Sequence, residues 1–313
     1  MATAQLVLGP PGSGKSTYCA GMREFLSSIG RKVSVVNLDP ANESLPYKED
    51  INITDLVRLE EVMERLKLGP NGGLVYCMEY LETNVDWLVK DMAVKDASHY
   101  YIIDCPGQVE LYTHHSSLRN ITNRLKEEGM KASEGFVFFF VLFVLSLPPQ
   151  VVSVHLIDCE NCTDPSKFIS SLLVSLSCML QIELPHVNIL TKIDLLSKYK
   201  ELPFDIDYYT DVMDLSYLLS LLSDESFFNR YKKLNEAIIS IVEDHSLVSF
   251  LTLSIQDKES VHKVSTEIDR ASGYIMNQDE RDALTSSFLS SYPAEYQYMK
   301  NMGVREKLTE NKD

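Results

Sequence analysis

Leu6-Val7-Leu8 is a short apolar run with the character of a buried strand. A turn-rich stretch, residues 9–14, separates it from helical spacing over 16–29 that ends near Gly30. Residues 32–38 are apolar and β-branched and predict a second strand. In residues 55–68, Leu56, Leu59, Val62, Met63 and Leu66 share one helical face, and Gly69-Pro70-Asn71-Gly72-Gly73 then reads as a sharp break. A helix is predicted over 80–94 and a buried strand over 100–103. Two more strands follow at 152–157 and 187–190, with a helix over 167–180 between them. A late apolar strand at 247–253 precedes a polar helix from about Lys258. Strands alternating with helices predict an α/β fold of the P-loop NTPase kind, a mostly parallel sheet covered on both faces. Residues 197–235, rich in acids, Tyr and Leu, predict a helical insertion. One domain is expected over 1–275, then a helical, charged tail over 276–313.

Composition narrows the functions. With 313 residues, 45% of them hydrophobic, the chain can bury one large core or two small ones, and 24% charged residues is an ordinary globular share. The formal net charge of −16 repels phosphate backbones and anionic membranes, so neither direct nucleic-acid nor membrane binding is expected, and basic protein partners are favoured. Six cysteines lack framework spacing, and the first residues lack the basic region and cleavage site of a signal peptide. Reduced thiols and a cytoplasmic location are therefore expected, with shuttling to the nucleus left open.

Gly9-Pro10-Pro11-Gly12-Ser13-Gly14-Lys15-Ser16 fits G-x-x-x-x-G-K-[ST] between a strand and a helix. Gly12 and Gly14 let the backbone curl so that N–H groups, Ser13's included, point at phosphate oxygens at a helix N-terminus. Lys15 reaches the β- and γ-phosphates, the Ser16 hydroxyl suits Mg²⁺, and Thr17 supports the α-phosphate. The strand 100–103 ends in Asp104-Cys105-Pro106-Gly107. Asp104 stands where a Walker-B carboxylate holds Mg²⁺, and Gly107 N–H can sense the γ-phosphate. Gln108 and Glu110 are placed to orient the attacking water. Asp39, in Asn37-Leu38-Asp39-Pro40-Ala41, can hold a Mg²⁺ water or act as base.

Thr191-Lys192-Ile193-Asp194 fits [NT]-K-x-D, the guanine-reading pattern. The Asp194 carboxylate accepts from guanine N1–H and N2–H₂, a donor pair that adenine lacks, and the Lys192 stem can cover the base. The strand end near Leu253 and Ser254 can offer backbone N–H to the guanine O6. Each motif alone has a plainer reading: a chance glycine loop, a turn after a strand, a helix-capping Asp. Their order along one chain gives them weight.

These motifs, together with Gly69-Pro70-Asn71, resemble the GPN-loop GTPases over nearly the whole length. The resemblance implies GTP and GDP as substrate and product with Mg²⁺, and a dimer, homotypic or with a paralogue, in which the GPN loop enters the partner's active site with Asn71 facing the γ-phosphate. It also implies work in the assembly and nuclear import of RNA polymerase II and III, with polymerase subunits or assembly factors as partners. No arginine finger is evident in segments 37–47 or 104–112, so developing charge falls to Lys15, Mg²⁺, backbone N–H groups and Asn71. Two other functions compete: a nucleotide-dependent chaperone or scaffold with little turnover, and a P-loop small-molecule kinase. A kinase lid needs arginines, and 197–235 holds only Arg230.

Residues of about 133–150 depart from the family pattern. The 12-residue run from Phe136 to Leu147 falls short of the roughly 20 apolar residues that cross a membrane. A membrane-dipping anchor and an extra buried strand are alternatives. The favoured reading is translated non-coding sequence, because a pyrimidine-rich intron end read as codons gives Phe, Leu, Val, Ser and Pro, and Gln150 can be encoded by CAG, a splice-acceptor triplet. Weaker signals are Cys159-Glu160-Asn161-Cys162, too few ligands for zinc, His114-His115 after the switch segment, and the single Trp87.

Overall fold

The computed structural model describes residues 3–42, 44–94, 99–131, 150–199, 202–212, 215–222, 232–245 and 248–291. In chain order the elements are β1 (Thr3–Leu8), α1 (Lys15–Ser28), β2 (Val33–Asn37), β3 (Ile51–Asn52), α2 (Leu59–Leu66), α3 (Pro70–Thr83), α4 (Val85–Ala93), β4 (Tyr100–Asp104), α5 (Glu110–Thr113) and α6 (Ser117–Lys131). There follow β5 (Gln150–Asp158), α7 (Pro165–Ile182), β6 (His186–Thr191), α8 (Ile206–Asp211), α9 (Ser216–Leu222), α10 (Lys232–His245), β7 (Phe250–Leu253), α11 (Lys258–Ser272) and α12 (Gln278–Ser291). The seven strands form one sheet in the order β3-β2-β4-β1-β5-β6-β7, and every pairing is parallel. This is the α/β P-loop architecture that the alternating pattern predicts.

A parallel sheet is covered on both faces, so its strands alternate between two cores rather than between core and water. Leu6 and Leu8 pack with Ile103 and Leu81 on one face, while Val7 packs with Met22, Leu26 and Val264 on the other. A third core, around Phe168, Tyr209 and Phe250, joins α7 to α8, α9 and α10 beside β6 and β7. The acid-rich stretch therefore contributes apolar residues to a core of its own.

Two departures from the sequence pattern have local causes. Pro70-Asn71-Gly72-Gly73 is the first turn of α3, not a break. Pro70 occupies the first helical position, where its missing N–H costs nothing. A Cβ on Gly73 would lie 2.7 Å from Leu59 Cδ1 and 3.1 Å from Met63 Cγ, so glycine lets α3 lie close on α2. The two-residue strand β3 is too short to leave a periodicity. The C-terminal helices are held by Arg31, whose buried guanidinium is bidentate to Asp269 at 2.8 and 2.5 Å and reaches Glu280 at 3.3 Å. The Tyr274 ring covers it at 4.1 Å. The apolar run expected to be anomalous lies outside the described residues, except Gln150, which opens β5.

Candidate functional site

All strands point one way, so Leu8, Asn37, Asp104, Asp158, Thr191 and Leu253 finish at one edge of the sheet. The loop 9–14 leaves this edge and feeds α1 at Lys15. Gly9 has φ +147°, and a Cβ there would sit 2.4 Å from the Leu156 carbonyl oxygen and 2.7 Å from Ser13 Oγ. Gly12 and Gly14 have φ of +81° and +90°, in the left-handed region that side chains disfavour. Lys15 is buried and folds back, its Nζ donating to Gly9 O at 3.0 Å and Pro10 O at 3.3 Å. Burial lowers its pKa against the pull of Asp104 and Asp39. A Cβ on Gly107 would lie 2.9 Å from Lys15 Nζ, so the D-x-P-G glycine faces the loop directly. Ser16 is half-buried and Thr17 exposed.

The metal side is built from three elements. Asp104 ends β4 and is 1% exposed. Its Oδ2 accepts from the Tyr47 hydroxyl at 2.7 Å, and its Oδ1 is buried with no hydrogen-bond partner among the described residues. Burial raises its pKa, with the Tyr47 and Ser16 hydroxyls opposing. Ser16 Oγ accepts from Asn42 Nδ2 at 3.0 Å. Asp39 Oδ1 accepts from Ala41 N–H at 3.0 Å. Burial raises the Asp39 pKa too, against the Ala41 N–H, Lys15 and the Gly107 N–H. An orphaned buried carboxylate oxygen is an acceptor in need of a partner. With the neighbouring hydroxyl it offers the hard oxygen ligands that suit Mg²⁺, which keeps most of its waters and borrows phosphate oxygens. Of the two residues expected to orient water, Gln108 has its Oε1 buried with no hydrogen-bond partner among the described residues, whereas Glu110 is exposed at the start of α5.

The base-side segment is tied to the loop. Thr191 Oγ1 lies 2.8 Å from Ser13 O and 3.1 Å from Ile157 O, joining β6 to the loop and to β5. Lys192 takes a left-handed φ of 62°, and its Cε approaches to 4.0 Å of a Cβ built on Gly14. Its Nζ meets Asp158 Oδ2 at 2.5 Å. Burial pulls the Lys192 pKa down, but the Asp158 contact outweighs it and the net direction is up. Cys159 Sγ donates to Lys192 O at 3.1 Å. Asp194 is exposed in the turn that follows. One expectation fails here: the Ser254 N–H already donates to Ser260 Oγ at 3.0 Å and is not free for a base.

Gly69, Pro70 and Asn71 are exposed, and α3 packs on α2 and α6. Asn71 has no side-chain partner among the described residues. The weaker signals resolve plainly. Cys159 and Cys162 are buried free thiols, and the described residues hold no metal-like cluster of three or more His, Cys, Asp or Glu. His115 sits 3.3 Å from Glu79, and Trp87 packs against the first core. Sequence reasoning passed over Tyr47, Asn42 and Asp158. Only Asp158 left a signal, an acid ending an apolar strand just as Asp39 and Asp104 do.

The family described as "Conserved hypothetical ATP binding protein" matches residues 7–139 and 136–274, two stretches that meet inside the apolar run. GPN-loop GTPase 2 of Danio rerio is 48% identical over 303 residues, covering 97% of this chain and 91% of that protein. The Saccharomyces cerevisiae protein of the same name is 45% identical, covering 90% of this chain and 77% of its own. The chain belongs to the GPN-loop GTPases. Among solved structures, the apo form of a GTPase from Pyrococcus abyssi aligns with TM-score 0.63 at 23% identity, covering 87% of this chain and 98% of its own, which speaks to the fold. The phrases at 162–168, 214–219 and 255–260 are most similar to GPN-loop GTPase 2 among the family's eukaryotic members, and these two relatives carry that name. The family description names ATP where the relatives' names say GTPase, so the choice of base has to be argued from the site.

Proposed function

We propose that this chain binds GTP with Mg²⁺ and hydrolyses it to GDP and phosphate, acting as a nucleotide-controlled switch. The observation that carries this is the meeting of three motifs, Gly9–Ser16, Asp104–Gly107 and Thr191–Asp194, at one edge of an all-parallel sheet. Ligands of open α/β sheets bind at that edge. Loop N–H groups and Lys15 take the phosphates. Asp104 and Ser16 would hold the Mg²⁺, whose charge would offset the negative charge that builds on the GDP leaving group. Asp39 is the residue best suited to take the proton of the attacking water, since burial raises its pKa toward the working range of a base. Gln108 orients that water.

We propose further that the working unit is a dimer, homotypic or with a paralogue. The exposed Asn71 supports this, because its side chain has no partner among the described residues. On the family resemblance, the clients are RNA polymerase II and III subunits or their assembly factors, and the chain works in the cytoplasm with passage to the nucleus. The acidic surface supports protein partners over nucleic acid or membrane.

Competition for a fluorescent GTP analogue tests the base assignment. GTP is expected to compete at least about a hundredfold better than ATP. Asp194→Asn should erase about 1–3 kcal/mol of that preference by removing the acceptor pair. Equal competition by ATP in the unaltered protein would refute the guanine reading and revive the kinase alternative.

A further inference from the structure

The metal-side donors are themselves gripped by two side chains from the loop between β2 and β3, neither of which belongs to a nucleotide motif. A serine hydroxyl has one proton and two lone pairs. Asn42 Nδ2 donates into one Ser16 lone pair at 3.0 Å, and the Asp104 carboxylate lies beside the hydroxyl to take its proton. One lone pair is left. Asp104 shows the same economy: Tyr47 O–H occupies Oδ2 at 2.7 Å, and Oδ1 remains buried and free among the described residues. Ser16 Oγ thus keeps one lone pair, and Asp104 keeps Oδ1, without a hydrogen-bond partner among the described residues.

Tyr47 is 8% exposed, and its ring packs in the core that contains Tyr18, Met22 and Val35. Its hydroxyl is therefore carried on a rigid mount. Asp39 belongs to the same loop, so three of its side chains converge on the region between Lys15, Ser16 and Asp104.

We propose that Tyr47 and Asn42 are positioning residues for the divalent cation. Tyr47 fixes the rotation of the Asp104 carboxylate so that Oδ1 is the oxygen presented, and Asn42 fixes which Ser16 lone pair stays open. Outer partners of this kind set ligand orientation, and their loss weakens a metal site by about 10- to 100-fold. The loop that carries Asp39 is then ordered by the same contacts that prepare the cation site, so cation retention and loop order rise and fall together. The inference rests on the Mg²⁺–nucleotide reading above.

The test is the release rate of a fluorescent GDP analogue from the full-length protein as free Mg²⁺ is titrated, with thermal melting measured alongside. Tyr47→Phe keeps the ring and removes only the hydroxyl; Asn42→Ala removes the other contact. Either is expected to raise the Mg²⁺ midpoint for slow release by about tenfold. Release in excess chelator should match the unaltered protein, and Lys48→Ala, an exposed neighbour, should leave the midpoint in place. An unchanged midpoint in Tyr47→Phe, whatever happens to its melting temperature, would show that the hydroxyl serves the fold alone and would overturn the proposal. If Tyr47→Phe does not fold, Asn42→Ala decides by the same measure. Release from the unaltered protein that ignores Mg²⁺ would instead overturn the underlying reading, a result distinct from a variant that fails to differ.

Discussion

Gly9-Pro10-Pro11-Gly12-Ser13-Gly14 and Gly69-Pro70-Asn71-Gly72-Gly73 are both rich in glycine and proline, and each leads into a 14-residue helix. In the first, all three glycines have positive φ, and a Cβ built on Gly9 would lie 2.4 Å from the Leu156 carbonyl oxygen. In the second, Gly69 has an ordinary φ of −73°, and a Cβ built on it meets nothing within 4 Å. The first loop is bent because it must wrap phosphates within its own chain. The second is a regular helix start, presented outward. The same residue types therefore take opposite forms: a distorted backbone packed against its own sheet, and a regular, exposed helix start.

That contrast can be broken most sharply at the glycines. Gly9→Ala adds a Cβ in a left-handed conformation against backbone, and should cost about 3 kcal/mol or more in thermal unfolding. Gly69→Ala should stay within about 0.5 kcal/mol. Similar losses at both positions would mean that the two loops are not the opposites described.

Acid should then act on the floor of the phosphate loop. His155 pairs in register with Leu8, lines a cavity of about 630 Å³ beside Pro11, Gly12 and Ser13, and is fully buried. Burial, and then the nearby His186, push its pKa down to about 3, and burial holds His186 at about 4. Both are neutral in the fold and take up a proton near pH 6.5 once unfolded. The unfolded state thus binds more protons between these values, and stability that is full above about pH 6.5 is lost as pH falls toward the folded pKa values. Melting temperatures that do not drop between pH 7.5 and 5 would contradict this.

Asn71→Ala is the gentlest of the three. With no side-chain partner among the described residues, it should leave melting and GTP affinity unchanged while lowering turnover by about tenfold, or 1.4 kcal/mol of barrier. A loss of affinity at protein concentrations too low for dimers would place Asn71 in its own chain's site and undo the comparison.

Some of this was legible early because the signal is local. Asp104 could be placed because an apolar strand followed by Asp-Cys-Pro-Gly spans a handful of adjacent residues. Tyr47 could not, since Pro46-Tyr47-Lys48 carries no pattern, and its role exists only because β2 and β4 are neighbours in the sheet. The glycines at 72 and 73 misled for a related reason. Gly73 faces Leu59 and Met63, which lie on another element.

By itself, then, the sequence determined the parallel α/β class, the phosphate loop, the two strand-end acids Asp39 and Asp104, and the family, because each is written in consecutive residues whose periodicity or backbone demands are short-range. The tertiary structure alone decided which partners those groups meet: Tyr47 and Asn42 on Asp104 and Ser16, Asp158 on Lys192, Ser260 on the Ser254 N–H, and open space around Asn71. The long-range pairings depend on the strand order β3-β2-β4-β1-β5-β6-β7, which at the metal side brings Asp104 beside Tyr47, 57 positions earlier, and Ser16. Strand order is fixed by how two faces of one sheet bury their apolar residues together, and no short stretch of chain records that.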